Sequence, residues 1–403
     1  MNLAIRLLLL NLPLLGAQTP DPAALVRAVA AYDYGQDRAP LDAVSDLTRA
    51  SHADPALRAR LESALIGLLR GHATNAAKDF ACRELSVIGG DASVPALAAL
   101  LDDAALGAFA IYALERIPGK ESAGALAKAL PGSSGMTRLG LINALARRGV
   151  PNPLFRQWLA SGDAQVAAAA AAALGATGDR SDIQRLLNAR ASNPAAQEAV
   201  LRLAGRLGPG GRSVYQALYR PGEPLMARVA ALEGLARLDG ARAMPAILEA
   251  LQSPEPALQR EAVRLAARHG GRTQLLAALP SQPPSLQVVT LTALSEAGAA
   301  EALPAFRAAA SSAEPAVRIA AIRALARHGG AKEAALLARI AAESEEAERD
   351  EARSALARLR GAPVDAAIVQ SISSSEGKVK VELIRAAGER GVAEAAPSLL
   401  AAA

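Results

Sequence analysis

The sequence predicts an all-α protein, a right-handed α-solenoid (superhelix) of about eleven stacked two-helix repeats. Three observations predict it. Helix-like stretches close on a glycine again and again, about 30 residues apart. The chain is 51% hydrophobic but only 2% aromatic, so its apolar surface is carried by small, helix-forming side chains, alanine above all. No run of alternating β-branched residues asks for a sheet.

The template is the stretch from Glu314 to Gly329, EPAVRIAAIRALARHG. At 3.6 residues per turn, Val317, Ala320, Ala321, Ala324 and Leu325 share one face, while Ile319 and Ile322 lie outside it. A helix apolar on two sides needs neighbours on both. Comparable stretches close at Gly89, Pro118, Gly149, Gly178, Gly208, Gly240, Gly270, Gly298, Gly329, Gly361 and Gly391. A glycine there supplies a left-handed helix C-cap.

From the N-terminus, residues 1–17 read as a secretory signal peptide. Arg6 gives the positive start, Leu7 to Leu15 the apolar run, and Gly16-Ala17 the small residues before a cut at Gln18. That run is shorter than the roughly 20 residues a spanning helix needs. Residues 18–76 form an irregular N-terminal helical cap, with helix starts at Asp21-Pro22 and Asp54-Pro55. Residues 77–403 are the repeat array. Its first helices open near Pro95, Pro245, Pro304 and Pro397, where a missing N–H has no intrahelical partner. Turns such as Asn193-Pro194, Ser253-Pro254-Glu255-Pro256 and Ala313-Glu314-Pro315 lead into the second helices. Gly210, Gly211, Pro221, Gly222 and Pro224 mark the least regular region, where a kink or long turn is expected. The closing PSLLAAA is a first helix without its second, so the last repeat is incomplete: either this helix is a lone cap or, the favoured expectation, the natural chain continues past Ala403.

Three segments carry a more specific signal: Tyr32-Asp33-Tyr34-Gly35, FACRELSVIGGDASVPALAALL from Phe80 to Leu101, and IYALERIP from Ile111 to Pro118. Together they resemble large secreted HEAT-repeat proteins of planctomycetes, verrucomicrobia and acidobacteria. The array as a whole is similar to HEAT-like repeats of the phycobilisome-lyase type. The resemblance covers most of the chain and implies the solenoid; it carries no catalytic residue over. Ile111 departs from it, standing where the pattern has a basic residue before the tyrosine.

Catalytic chemistry is not indicated. His269 and His328 occupy equivalent positions, one residue before glycine, where a helix C-terminus welcomes positive charge. With His52 and His72 they form no metal-ligating spacing. Cys82 is the only cysteine, so no internal disulfide forms, and it reads as a core residue. Gly208-Pro209-Gly210-Gly211 lacks the strand and the Lys-Ser/Thr of a phosphate loop. The acidic run from Glu343 to Glu351 reads as a solvated turn with helix N-terminal charge. The reading is no enzyme, no cofactor and no metal.

The arginines are the functional lead. Aligned on the closing glycine, Arg147, Arg206, Arg237, Arg268, Arg327 and Arg358 form one column. Arg202, Arg264, Arg323 and Arg385 form another, one turn earlier. Stacked repeats turn such columns into ridges. Residues 181–330 hold 17 basic and 11 acidic side chains. Two readings stand: these arginines complement helix dipoles and cover apolar surface with their stems, or they face an acidic partner. Candidate partner-binding residues are Arg206, Arg237, Arg264, Arg268, Arg323 and Arg327. The net charge of +5 does not imply nucleic acid, because lysine is scarce and stacking aromatics are few. Trp158, Tyr215 and Tyr219 are likewise too few for a sugar-binding row. The sequence thus describes a monomeric, non-enzymatic protein–protein interaction scaffold of the bacterial cell envelope, periplasmic or secreted, without a membrane span after signal removal. Two alternatives stand beside it: an accessory repeat segment of a longer secreted enzyme, and a phycobilin-lyase-like enzyme.

Overall fold

The computed structural model describes residues 21–400. The expected signal peptide, residues 1–17, lies outside the described residues. Within them every regular element is an α-helix or a short 3-10 turn, and no strand occurs. The chain divides into two units, one ending at Leu207 and the next beginning at Gly208. Each is an α-solenoid.

Local chemistry sets the helix starts. Pro22 and Pro55 open their helices as expected, and the side chains of Asp21 and Asp54 accept the first N–H groups. Asp163 does the same for Ala164–Thr177. Each such cap contributes about 1 kcal/mol. Pro256, Pro284 and Pro315 open three second helices, where no amide proton is missed.

In the first unit the second helices Asn75–Ile88, Gly107–Arg116, Gly135–Arg147, Ala164–Thr177 and Ala195–Leu207 stack in a row, each on the next. The pairing reaches back before them: Pro22–Val29 packs on Pro55–Arg70, and Ala39–Ala50 on Asn75–Ile88. In the second unit the row is Leu225–Asp239, Pro256–His269, Pro284–Glu296, Pro315–His328, Glu346–Arg358 and Gly377–Glu389. The template helix buries Val317, Ala320, Ala321, Ile322, Ala324 and Leu325. Ile322 extends the buried arc to a second side, as its neighbours on both sides require. A continuous buried cluster runs through this unit from Leu232 to Ala395.

The closing glycines split into two kinds. Gly149, Gly208, Gly240, Gly270, Gly298, Gly361 and Gly391 have positive φ, which favours glycine, although Gly240 (ψ −126°) and Gly361 (ψ 144°) lie outside the left-handed helical region of the expected cap. Gly89, Gly178 and Gly329 do not; at Gly329 φ is −73°. A Cβ on Gly329 would stand 2.5 Å from the Leu325 carbonyl oxygen and 2.9 Å from Glu333 Cγ. These three are glycine for room rather than for handedness. The irregular stretch holds a 3-10 turn at Gly208–Gly211 and a short helix, Arg212–Leu218, with the unit boundary at its start. Among the described residues no helix is long and apolar enough to cross a membrane.

Candidate partner-binding face

The arginines of the second helices sort by what they touch. In the first unit, Arg206 donates to the Gly178 carbonyl of the preceding repeat. In the second, Arg237 donates to the Tyr215 hydroxyl at 2.9 Å. Arg264 pairs with Glu261 on its own helix at 3.3 Å, and Arg323 reaches Glu351 of the next repeat at 2.8 Å. Arg268 and Arg327 are exposed and have no partner among the described residues. The column also slips in register: Arg237 and Arg358 stand three residues before their glycines, the others two. On Pro284–Glu296 the two ridge positions hold Thr292 and Glu296, so the ridge is interrupted between Arg268 and Arg327.

Much of the arginine serves the stacking itself. Arg156 binds Asp182 at 2.6 Å, Arg318 binds Glu348 at 2.6 Å and Arg353 binds Glu382 at 2.6 Å. In every case the partner lies one repeat further along. Arg148 donates to the carbonyls of Leu114, Glu115, Ile117 and Gly119 at 2.6–3.0 Å, closing the open end of the preceding second helix. Arg390 does the same for Ala357 and Leu359. The ring nitrogen of His328 lies 2.8 Å from the Ser295 carbonyl oxygen, again one repeat back. Sequence reasoning missed these clamps. Their signal was available: Arg318 and Glu348, or Arg353 and Glu382, are separated by one repeat period.

The acidic run around Glu348 is correspondingly less solvated than expected. The Arg318 guanidinium bound to Glu348 holds its carboxyl below the ordinary value of 4.5, although burial pushes the other way. Glu351 is held by Arg323. Cys82 is fully buried, and desolvation, aided by the Asp79 charge, pushes its thiol up to about 12. Among the described residues no group of three or more His, Cys, Asp or Glu side chains is placed to hold a metal.

Hollows open on the second-helix rows of both units. In the second unit a groove of about 680 Å³ crosses Pro284–Glu296, Pro315–His328 and Glu346–Arg358. Arg323, Arg327, Arg358 and Arg360 line it, opposed by Glu296 and Glu351. The candidates Arg323 and Arg327 meet here, joined by Arg360, which the sequence did not single out. Arg206, Arg237, Arg264 and Arg268 are not part of its lining. In the first unit a smaller hollow of about 400 Å³ is lined by Tyr112 and Met136, both exposed, and by the Glu115–Arg147 ion pair. Arg116 lies over the Tyr112 ring at 4.2 Å, so a cation is present beside this tyrosine although Ile111 precedes it.

Residues 272–357 match the family model of HEAT repeats. No curated protein matches the chain. Among solved structures, the karyopherin Kap121p bound to the extreme C-terminus of the protein phosphatase Cdc14p superposes with a TM-score of 0.50 at 11% identity, over 92% of this chain and 54% of that one. Kap121p bound to Pho4p gives 0.50 at 11%, over 92% and 53%. Importin beta gives 0.38 at 17%, over 92% and 62%. The chain spans about half the length of the Kap121p chains it matches. At 11% identity the likeness to Kap121p is one of fold alone.

Proposed function

We propose that this chain, a HEAT-repeat protein, is a non-enzymatic protein–protein interaction scaffold of the bacterial cell envelope, periplasmic or secreted. The observation that carries the reading is the row of second helices in each unit. Along such a row equivalent side chains recur once per repeat, so a partner engages several repeats at once and gathers affinity from modest contacts. Kap121p, built on the same fold, is seen bound to polypeptide partners, a phosphatase C-terminus and Pho4p. The envelope location rests on the leader-like residues 1–17.

The six candidate arginines contribute unequally. Arg206 and Arg237 are engaged with groups of their own unit. Arg268 and Arg327 are exposed and unpartnered among the described residues. Arg264 and Arg323 hold half-exposed pairs of the kind worth about 0–1 kcal/mol, which a partner's carboxylates replace at little cost.

Affinity capture from an envelope extract tests the proposal. The wild-type protein is expected to retain a defined set of proteins. The variant Arg264→Glu, Arg268→Glu, Arg323→Glu, Arg327→Glu is expected to lose them at unchanged helicity. A set retained equally by both at moderate salt removes the arginines from the binding face. Failure to retain any defined protein removes the scaffold. N-terminal sequencing of exported protein is expected to begin at Gln18, and an intact Met1 removes the export reading.

A further inference from the structure

Resting on the scaffold reading, we infer that the groove across Pro284–Glu296, Pro315–His328 and Glu346–Arg358 receives an extended acidic peptide segment of the partner. Its lining carries four guanidiniums against two carboxylates. One carboxylate, Glu351, is already seated on Arg323, through Nε at 2.9 Å and Nη2 at 2.8 Å. Arg358 makes only a bond to the Ser354 hydroxyl, at 2.5 Å, and Arg327 and Arg360 are exposed without a partner among the described residues. Positive charge is therefore left over, and it is guanidinium charge, whose planar fork matches carboxylates.

The shape selects a chain over a compact ligand. The hollow is open and spans three helices, and Ala320, Ala324 and Ala326 contribute small side chains that let a backbone lie close. Neighbouring packed helices stand roughly 8–10 Å apart. Three residues of extended chain cover roughly 10 Å. Carboxylates three residues apart thus reach arginines presented by successive helices. Nucleic acid fits worse: no aromatic side chain lines the groove to stack a base, and Glu296 and Glu351 oppose a phosphate backbone.

Fluorescence anisotropy of labelled hexaglutamate with the full-length protein tests the inference. Hexaglutamate is expected to bind, with affinity falling as salt rises. The variant Arg327→Gln, Arg360→Gln is expected to weaken it at least about tenfold, while Arg49→Gln, on an exposed arginine of the other unit, leaves it unchanged. Should the double variant lose helicity by circular dichroism, the single Arg360→Gln decides in its place. The inference is overturned if wild type does not bind hexaglutamate, if the neutralised variant binds it equally, or if a labelled six-nucleotide thymidine strand binds as tightly and responds to the same variant. Hexaglutamate unbound while envelope partners are still captured defeats this inference alone. Hexaglutamate bound while no partner is captured defeats the scaffold alone.

Discussion

Asp182 is fully buried and yet satisfied: Arg156 reaches it at 2.6 Å, and the Asp179 N–H donates to it at 2.9 Å. Arg156→Ala strands that charge, and the expected loss is about 3 kcal/mol, read from the urea midpoint. Arg49→Ala, which breaks a pair with Asp46 that is mostly exposed on both sides, is expected to change stability by less than about 0.5 kcal/mol. Acid sensitivity follows from the same chemistry. The folded Glu348 carboxyl titrates below its ordinary 4.5, chiefly because of Arg318. Its contribution is therefore complete above that value and is lost as pH falls through it toward the lower folded value. Between pH 5 and pH 3 the Tm of the wild type is expected to fall more steeply than that of Arg318→Met. Sequence placed arginines near helix ends and offered two roles for them. It did not show which carboxylate or carbonyl each one meets, because partners such as Glu348, Glu351 and the Gly178 carbonyl stand a full repeat away.

Helix positions were legible because proline and glycine punctuate them: Pro22, Pro55, Pro256 and Pro315 open helices where expected, and Gly270 closes one in the left-handed region. The reason for each glycine was not legible, since handedness and crowding demand the same residue. Substitution separates them. Gly270→Ala forces a Cβ into φ +105° with open space around it, at an expected cost of about 1–2 kcal/mol. Gly329→Ala meets no unfavourable φ but drives a Cβ against the Leu325 carbonyl and Glu333, so Pro315–His328 and Ala331–Glu343 must shift apart. Gly67→Ala, inside Pro55–Arg70 with nothing within 4 Å, is expected to stabilise by about 0.5–1 kcal/mol. Thermal melts of the three variants check the order, with Gly67→Ala the only one to rise.

At the scale of the molecule, the period of the sequence announced the solenoid; the cluster of glycine and proline after Gly208 announced a kink or long turn within one array, not the division into two units that falls there. The groove was only half legible. Arg327 and Arg323 were visible as members of two neighbouring columns, but Glu296 interrupting the first of them and Arg360 joining the groove depend on how three successive helices line up. The same stacking sets how damage spreads. Each helix in a row packs chiefly on its neighbours, so stability is held in local interfaces. Leu325 is fully buried in Pro315–His328, and Leu325→Ala is expected to cost about 2–5 kcal/mol through lost burial and the cavity left behind. That loss falls first on the interfaces that Pro315–His328 shares with Pro284–Glu296 and Glu346–Arg358. Amide hydrogen exchange is expected to quicken most in these three helices and least in Leu225–Asp239 of the same unit. Uniform quickening across the unit defeats the nearest-neighbour account, because it shows one global core rather than a chain of local ones.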